Sequence, residues 1–159
     1  MPLVLDLIRH GDALPSERGD DASRRLSPRG IALLERLARH FAPLGFRPTR
    51  VFSSPLLRAI ESARIVLPPS SGIAVEELDA LLPDAEPEEV ADALAAADAT
   101  RGHVLIVGHQ PLLGDFAGWL AGGPAHPFAP GAWVRLEFED ALEPGGATIG
   151  MRLRPDEIA

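Results

Sequence analysis

Cysteine is absent from the 159 residues, which excludes a disulfide framework, a thiolate nucleophile and a zinc site built on sulfur. Lysine is absent as well, since every one of the 15 basic residues is arginine. Walker-type P-loops and Schiff-base chemistry are thereby removed. So strong a bias means that any single arginine needs a positional argument before it is assigned a role. No run reaches the roughly 20 apolar residues that span a bilayer, and the opening segment from Pro2 to Leu7 is too short and too uncharged at its front for a signal peptide. The expectation is a soluble, cytoplasmic protein without a membrane partner. A formal net charge of −8 speaks against a nucleic-acid surface, which carries clustered positive charge. No Gly-x-Ser-x-Gly elbow occurs, which disfavours a serine hydrolase.

What is present suffices for one compact domain spanning 1–159, because 46% of the residues are hydrophobic. Leu3 to Ile8 reads as a short apolar strand covered on both faces, interrupted by Asp6, which is expected at a strand edge or end and paired with an arginine. Gly11 to Leu26 is a polar loop. Ser27-Pro28 has the chemistry of a helix start, followed by Ile31, Leu34, Leu37, Ala38 and Phe41 at helical spacing. Arg50 to Phe52 is a second strand, and Ser54-Pro55 repeats the helix start for a helix from about Pro55 to Val66. Val75 to Leu82 reads as a brief extended segment entering a loop. A helix over Glu88–Ala97, a strand over His103–Val107 and a helix over Leu112–Leu120 follow. Ala132–Phe138 and Thr148–Leu153 alternate as two further strands. Strand and helix alternate for most of the length, so the expected fold class is α/β: a three-layer α/β/α sandwich around a mainly parallel sheet.

Three segments repeat one pattern of apolar strand, tight turn with a basic side chain, then loop or helix. They are Leu7-Ile8-Arg9-His10-Gly11, Phe52-Ser53-Ser54-Pro55-Leu56-Leu57-Arg58 and Ile106-Val107-Gly108-His109-Gln110-Pro111. In a parallel sheet the carboxyl ends of such strands share one edge, where ligands of open α/β folds bind. Arg9, His10, Arg58 and His109 therefore converge, and helix starts at Pro55 and Pro111 add free N–H groups. The implied ligand is an anion, a phosphoryl group. A histidine among such cations stays neutral and can attack phosphorus. His10 is the expected nucleophile. Gly11 would let the backbone approach the phosphate, and His109, Arg9 and Arg58 would stabilise the transition-state charge.

These three segments, in this order and strand-turn context, resemble the histidine phosphatase superfamily, also called phosphoglycerate mutase-like, and within it the short SixA-type phosphohistidine phosphatases, which share "RHGDA". Leu26-Ser27-Pro28-Arg29-Gly30 is similar to the family's leucine-threonine-x-x-glycine. The resemblance implies His10 as the phosphorylated residue and Arg9, Arg58 and His109 as the phosphate pocket. It implies a metal-independent phosphatase without a cofactor, acting on phosphohistidine in a phosphorelay-type protein. A phosphatase of small phosphorylated metabolites, a phosphomutase of the same fold and a non-catalytic phosphate-binding module stand as alternatives.

The sequence departs from the family at one point. Where SixA-type chains carry glutamate-leucine-x-proline, this chain has Ala80-Leu81-Leu82-Pro83, and the general acid is unassigned among Glu77, Asp79, Asp84 or none. Phosphohistidine has a labile P–N bond whose imidazole leaves once protonated, so the gap favours an N-phosphorylated substrate. Only about 50 residues separate Arg58 from His109, too few for a lid beside the expected elements. Asp12 is read as a turn residue rather than a metal ligand with His10 and His109, since two arginines repel a cation. Arg24-Arg25 are placed near the pocket or on a solvated loop. His40, His103 and His126 have no evident partner, and Trp119 and Trp133 belong to the core or its rim.

Overall fold

The computed structural model describes residues 2–16 and 19–158. In chain order the main elements are β1 (Leu3–Arg9), α1 (Pro28–Phe41), β2 (Arg50–Ser53), α2 (Leu57–Val66), β3 (Val75–Glu77), α3 (Pro87–Ala96), β4 (Gly102–Gly108), α4 (Leu112–Ala121), β5 (Trp133–Phe138) and β6 (Ala147–Leu153). The strands form one six-stranded sheet in the order β3-β2-β4-β1-β5-β6. Within it β3, β2, β4 and β1 run parallel, while β5 and β6 pair antiparallel. The sheet is thus mainly parallel, as expected.

Both faces of the sheet are covered. Ile8, Val51, Leu105, Val107 and Trp133 pack against Leu34, Leu37 and Phe41 of α1 and Ala59, Ala63 and Val66 of α2. On the other face Leu5, Leu7, Val104 and Ile106 meet Val90 and Leu94 of α3 and Leu113, Phe116 and Leu120 of α4. This explains the nearly continuous apolar composition of β1 and β4, whose residues alternate into two separate cores.

Local chemistry sets the element ends. The Ser27 hydroxyl accepts the Gly30 N–H at 3.0 Å and Pro28 opens α1, as the Ser-Pro pair predicts. Ile31, expected on the buried face, is 39% exposed, because the contact stripe of α1 runs through Leu34, Leu37 and Phe41 instead. The second Ser-Pro pair does not cap its helix. α2 begins at Leu57 without a side-chain cap; the Ser54 hydroxyl accepts the Leu56 N–H at 3.3 Å just ahead of the helix and pairs with His109. The ambiguous stretch after Val75 becomes β3 and a 3-10 turn at Asp79–Leu81.

Asp6 is neither at a sheet edge nor at a strand end. It lies mid-strand in the interior β1, fully buried, facing Arg135 across the antiparallel pair with β5. Arg135 Nε and Nη2 donate to its two oxygens at 3.0 Å each, Trp133 Nε1 donates at 2.7 Å, and His103 Nε2 completes the set. The expected arginine partner is present, and His103, expected to lack a partner, supplies another. Burial alone would raise the Asp6 pKa, but hydrogen bonds from His103, Arg135 and Trp133 outweigh it and hold the carboxyl below its usual range. Trp133 is a core residue, whereas Trp119 is half-buried.

Among the described residues no helix is long and apolar enough to cross a membrane.

Candidate active site

Parallel register brings the basic turns together. Arg9 pairs with Gly108 at the carboxyl ends of β1 and β4, so the next residue of each strand, His10 and His109, leaves the sheet beside the other. The His10 N–H donates to the Gly108 carbonyl at 3.0 Å, and the two imidazole centroids lie 4.9 Å apart. On the far side of β4, Ser53 pairs with Val107, which sets Ser54 against His109 Nε2 at 2.5 Å. Arg58 follows in the first turn of α2, its side chain only 6% exposed. Arg9, His10, Arg58 and His109 line one cavity of about 220 Å³ together with Asp12, Ala13, Arg24, Pro83, Gln110 and Pro130. All four residues singled out in the sequence are therefore brought to one place.

His10 is held in a defined chemical form. Its Nδ1 lies 2.7 Å from the Gly11 carbonyl, which can only accept, so Nδ1 carries the proton and the lone pair sits on Nε2. Burial, then the cations of Arg58, Arg9 and Arg24, lower the His10 pKa to about 4 against the pull of that carbonyl. Burial, then His10 and Arg58, lower His109 to about 3, with Asp21 acting in the opposite direction. Both rings are neutral at physiological pH. Burial and Arg58 likewise lower the Arg9 pKa, and Arg9 Nη1 is anchored on the Phe128 carbonyl at 2.8 Å.

Gly11 is also packed closely into the fold. Its N–H donates to Ser62 Oγ at 3.0 Å, and a Cβ there would meet Leu34 Cδ1 at 2.8 Å and the Gly30 carbonyl at 3.3 Å, so a side chain here would press on the start of α1. Ser62 in turn donates to the Arg58 carbonyl at 2.7 Å, tying the His10 turn to the helix that carries Arg58. Three buried nitrogens lack a protein partner among the described residues, and all belong to this cluster: Arg9 Nε, Arg58 Nε and His109 Nδ1.

The profile of the histidine phosphatase superfamily, branch 1, matches residues 5–82, a span containing Arg9-His10-Gly11 and Arg58. In overall shape the chain is similar to the protein histidine phosphatase SixA complexed with tungstate, at 25% identity, covering 98% of this chain and 99% of that one with a TM-score of 0.84. By this profile match and this shared fold the chain resembles the histidine phosphatase superfamily. A SixA from Nakamurella multipartitia shares the fold at 22% identity, 98% and 97% coverage and a TM-score of 0.79. The alpha-ribazole phosphatase from Shigella flexneri does so at 21% identity, 96% and 96% coverage and a TM-score of 0.73. Among curated proteins none matches the sequence. Family and likeness together support a phosphatase.

None of the three candidate acids reaches the cavity wall. Glu77, Asp79 and Asp84 are exposed, and their stretch contributes only Pro83 to the lining. Asp12 does line it, but its Oδ2 accepts the Ser27 hydroxyl at 2.6 Å, which fits the turn role. No cluster of three or more metal-ligating side chains occurs among the described residues. Two further carboxylates matter that the sequence did not single out. Glu61 accepts the Leu26 N–H at 3.0 Å and fixes the end of the loop after His10. Asp21, on a 3-10 turn at Asp21–Ser23 within that loop, binds Arg58. Glu17 and Arg18 lie outside the described residues. Of the pair placed near the pocket, Arg24 lines the cavity whereas Arg25 is exposed and faces Glu61 at 3.8 Å.

Proposed function

We propose that this protein is a metal-independent phosphatase working through phospho-His10, that its substrate is phosphohistidine on a cytoplasmic phosphorelay-type protein, and that residues 1–159 act as one catalytic domain. The observation that carries the reading is the neutral His10, with Nε2 free, set between two arginines and beside a second neutral histidine. His10 Nε2 attacks phosphorus, the substrate's P–N bond breaks as its imidazole takes up a proton, and a P–Nε2 bond forms. Water then attacks phosphorus, the P–Nε2 bond breaks, and inorganic phosphate leaves. Arg9 and Arg58 neutralise the equatorial oxygens and His109 hydrogen-bonds to them, so that preorganised donors meet the charge as it shifts. The three unpartnered nitrogens fit a cluster made for an oxyanion, and the similar SixA structure holds tungstate, an oxyanion of that shape.

The choice of substrate rests on size and on the acid. A cavity of about 220 Å³ is smaller than the pockets that enclose drug-sized ligands, so it suits a phosphoryl group presented by a larger body. With none of Glu77, Asp79 or Asp84 in its wall, and Asp12 there held by the Ser27 hydroxyl, the cavity suits a leaving imidazole better than an alkoxide.

The test is phosphate release from a phosphohistidine protein, p-nitrophenyl phosphate and sugar phosphates with chelator present, together with trapping of label on the enzyme. Faster turnover of the phosphohistidine protein, acid-labile label, and loss of both in His10→Ala are expected. Preference for small phosphates would move the substrate class to metabolites, return of label to a second hydroxyl would make it a mutase, and tight phosphate binding without turnover would leave a binding module.

A further inference from the structure

The Arg58 guanidinium is already occupied by an anion of the protein itself. Its Nη1 donates to the Asp21 carbonyl at 2.9 Å and its Nη2 to Asp21 Oδ2 at 3.1 Å. The other carboxylate oxygen, Oδ1, accepts from Arg24 Nη1 at 3.3 Å. One carboxylate thus bridges two arginines that both line the cavity, each oxygen on a different guanidinium, which is the arrangement a phosphoryl group would adopt there. The Asp21 side chain is 64% exposed although its partner is buried. It sits on a three-residue 3-10 turn whose Asp20 cap, among the described residues, bonds within residues 20–23, to the Ala22 N–H, the Ser23 N–H and the Ser23 hydroxyl. An exposed carboxylate on a locally bonded turn is cheap to displace compared with a buried one.

We infer that Asp21 is an internal competitor for the phosphate pocket: its carboxylate holds Arg58 and Arg24 in the free protein and gives way to phosphoryl oxygens when substrate arrives. The inference rests on the reading of this pocket as the phosphate site. Its consequence is selectivity. A phosphoryl group attached to a large partner draws on contacts outside the cavity to displace Asp21, whereas free inorganic phosphate must do so on its own. Asp21 therefore weakens product binding and favours a phosphoryl group carried by a macromolecule. The opposing influence of Asp21 on the His109 imidazole is in keeping with a carboxylate close to the reacting centre.

Calorimetric titration with inorganic phosphate tests this on the wild type, Asp21→Asn and Asp20→Asn. Asparagine at 21 keeps the backbone contact to Arg58 and removes the competing charge. Asp20 is the same charge one residue away, with no bond to Arg58. Asp21→Asn is expected to bind phosphate about three- to fivefold more tightly, in proportion to the strength of an exposed ion pair, with Asp20→Asn changing less than half as much. Phosphate inhibition of turnover should sharpen by the same factor, and KM for p-nitrophenyl phosphate should fall. Unchanged or weaker binding in Asp21→Asn would overturn the inference, since Asp21 would then only position Arg58. An equal gain in Asp20→Asn would overturn it in favour of a general charge effect. A collapse of kcat at constant KM would do the same by making Asp21 a proton donor. Wild type that binds phosphate with Asp21→Asn unaltered defeats only this inference, whereas no binding in either defeats the reading of the pocket as well.

Discussion

Following the His10 ring resonances from about pH 8 to about pH 3 should give a midpoint near 4 rather than near the ordinary imidazole value of 6.5. The difference is large enough to decide the chemistry. At about pH 5 an imidazole of ordinary pKa is neutral in about 3% of molecules, whereas one titrating near 4 is neutral in about 90%, a thirtyfold gain in competent nucleophile. The causes can be separated by mutation. Burial is the largest, and Arg58 and Arg9 add to it, so Arg58→Gln should raise the midpoint only part of the way. Because the His10 and His109 centroids are 4.9 Å apart, the two rings protonate as a coupled pair, with His109 the later as pH falls. The same shift acts on stability. Folded His10 holds a proton less well than unfolded His10, so between about pH 6.5 and 4 the unfolded state binds more protons and stability falls as pH falls. From His10 alone the loss is on the order of 3 kcal/mol across that window, readable as a falling urea midpoint, with no contribution above it. A His10 midpoint at or above 6 in the folded protein would refute the account of a ring held neutral by burial and neighbouring cations.

Two further substitutions examine the scaffold. Asp6→Asn should destabilise the fold by about 3–5 kcal/mol in denaturant unfolding, because it leaves Arg135 without its charge partner in the sheet interior; a loss under about 1 kcal/mol would show that the network adds little. Gly30→Ala should cost about 2–3 kcal/mol and lower turnover, since the new Cβ collides with the Asp12 carbonyl oxygen and displaces the turn after His10; a thermal midpoint equal to wild type would contradict that packing.

Much of the site was legible because strand patterns and turn chemistry are local properties. Arg9, His10 and His109 each follow an apolar strand directly, and once the sheet is parallel their meeting follows from register. Asp6 was misplaced because β1 reads alike at an edge or in the interior. Its position depends on β5, more than a hundred residues later, joining on the side away from β4. Ser54 looked like a helix cap because the cap signal is local, but the histidine that takes its hydroxyl comes from another strand. Ser62 and Asp21 gave no signal at all, being an ordinary serine in a helix and an ordinary acid in a loop until Gly11 and Arg58 are brought to them.

The sequence by itself determined the alternation of strands and helices, the α/β class and the set of basic groups at the strand ends, since apolar period, Ser-Pro starts and glycine turns act within a few residues. Only the tertiary structure decided which histidine nitrogen is free, how far each ring is driven toward neutrality, and which carboxylate sits on Arg58. Those depend on burial and on partners distant in the chain, where the cost of leaving a charge or a donor unpaired is set by what surrounds it.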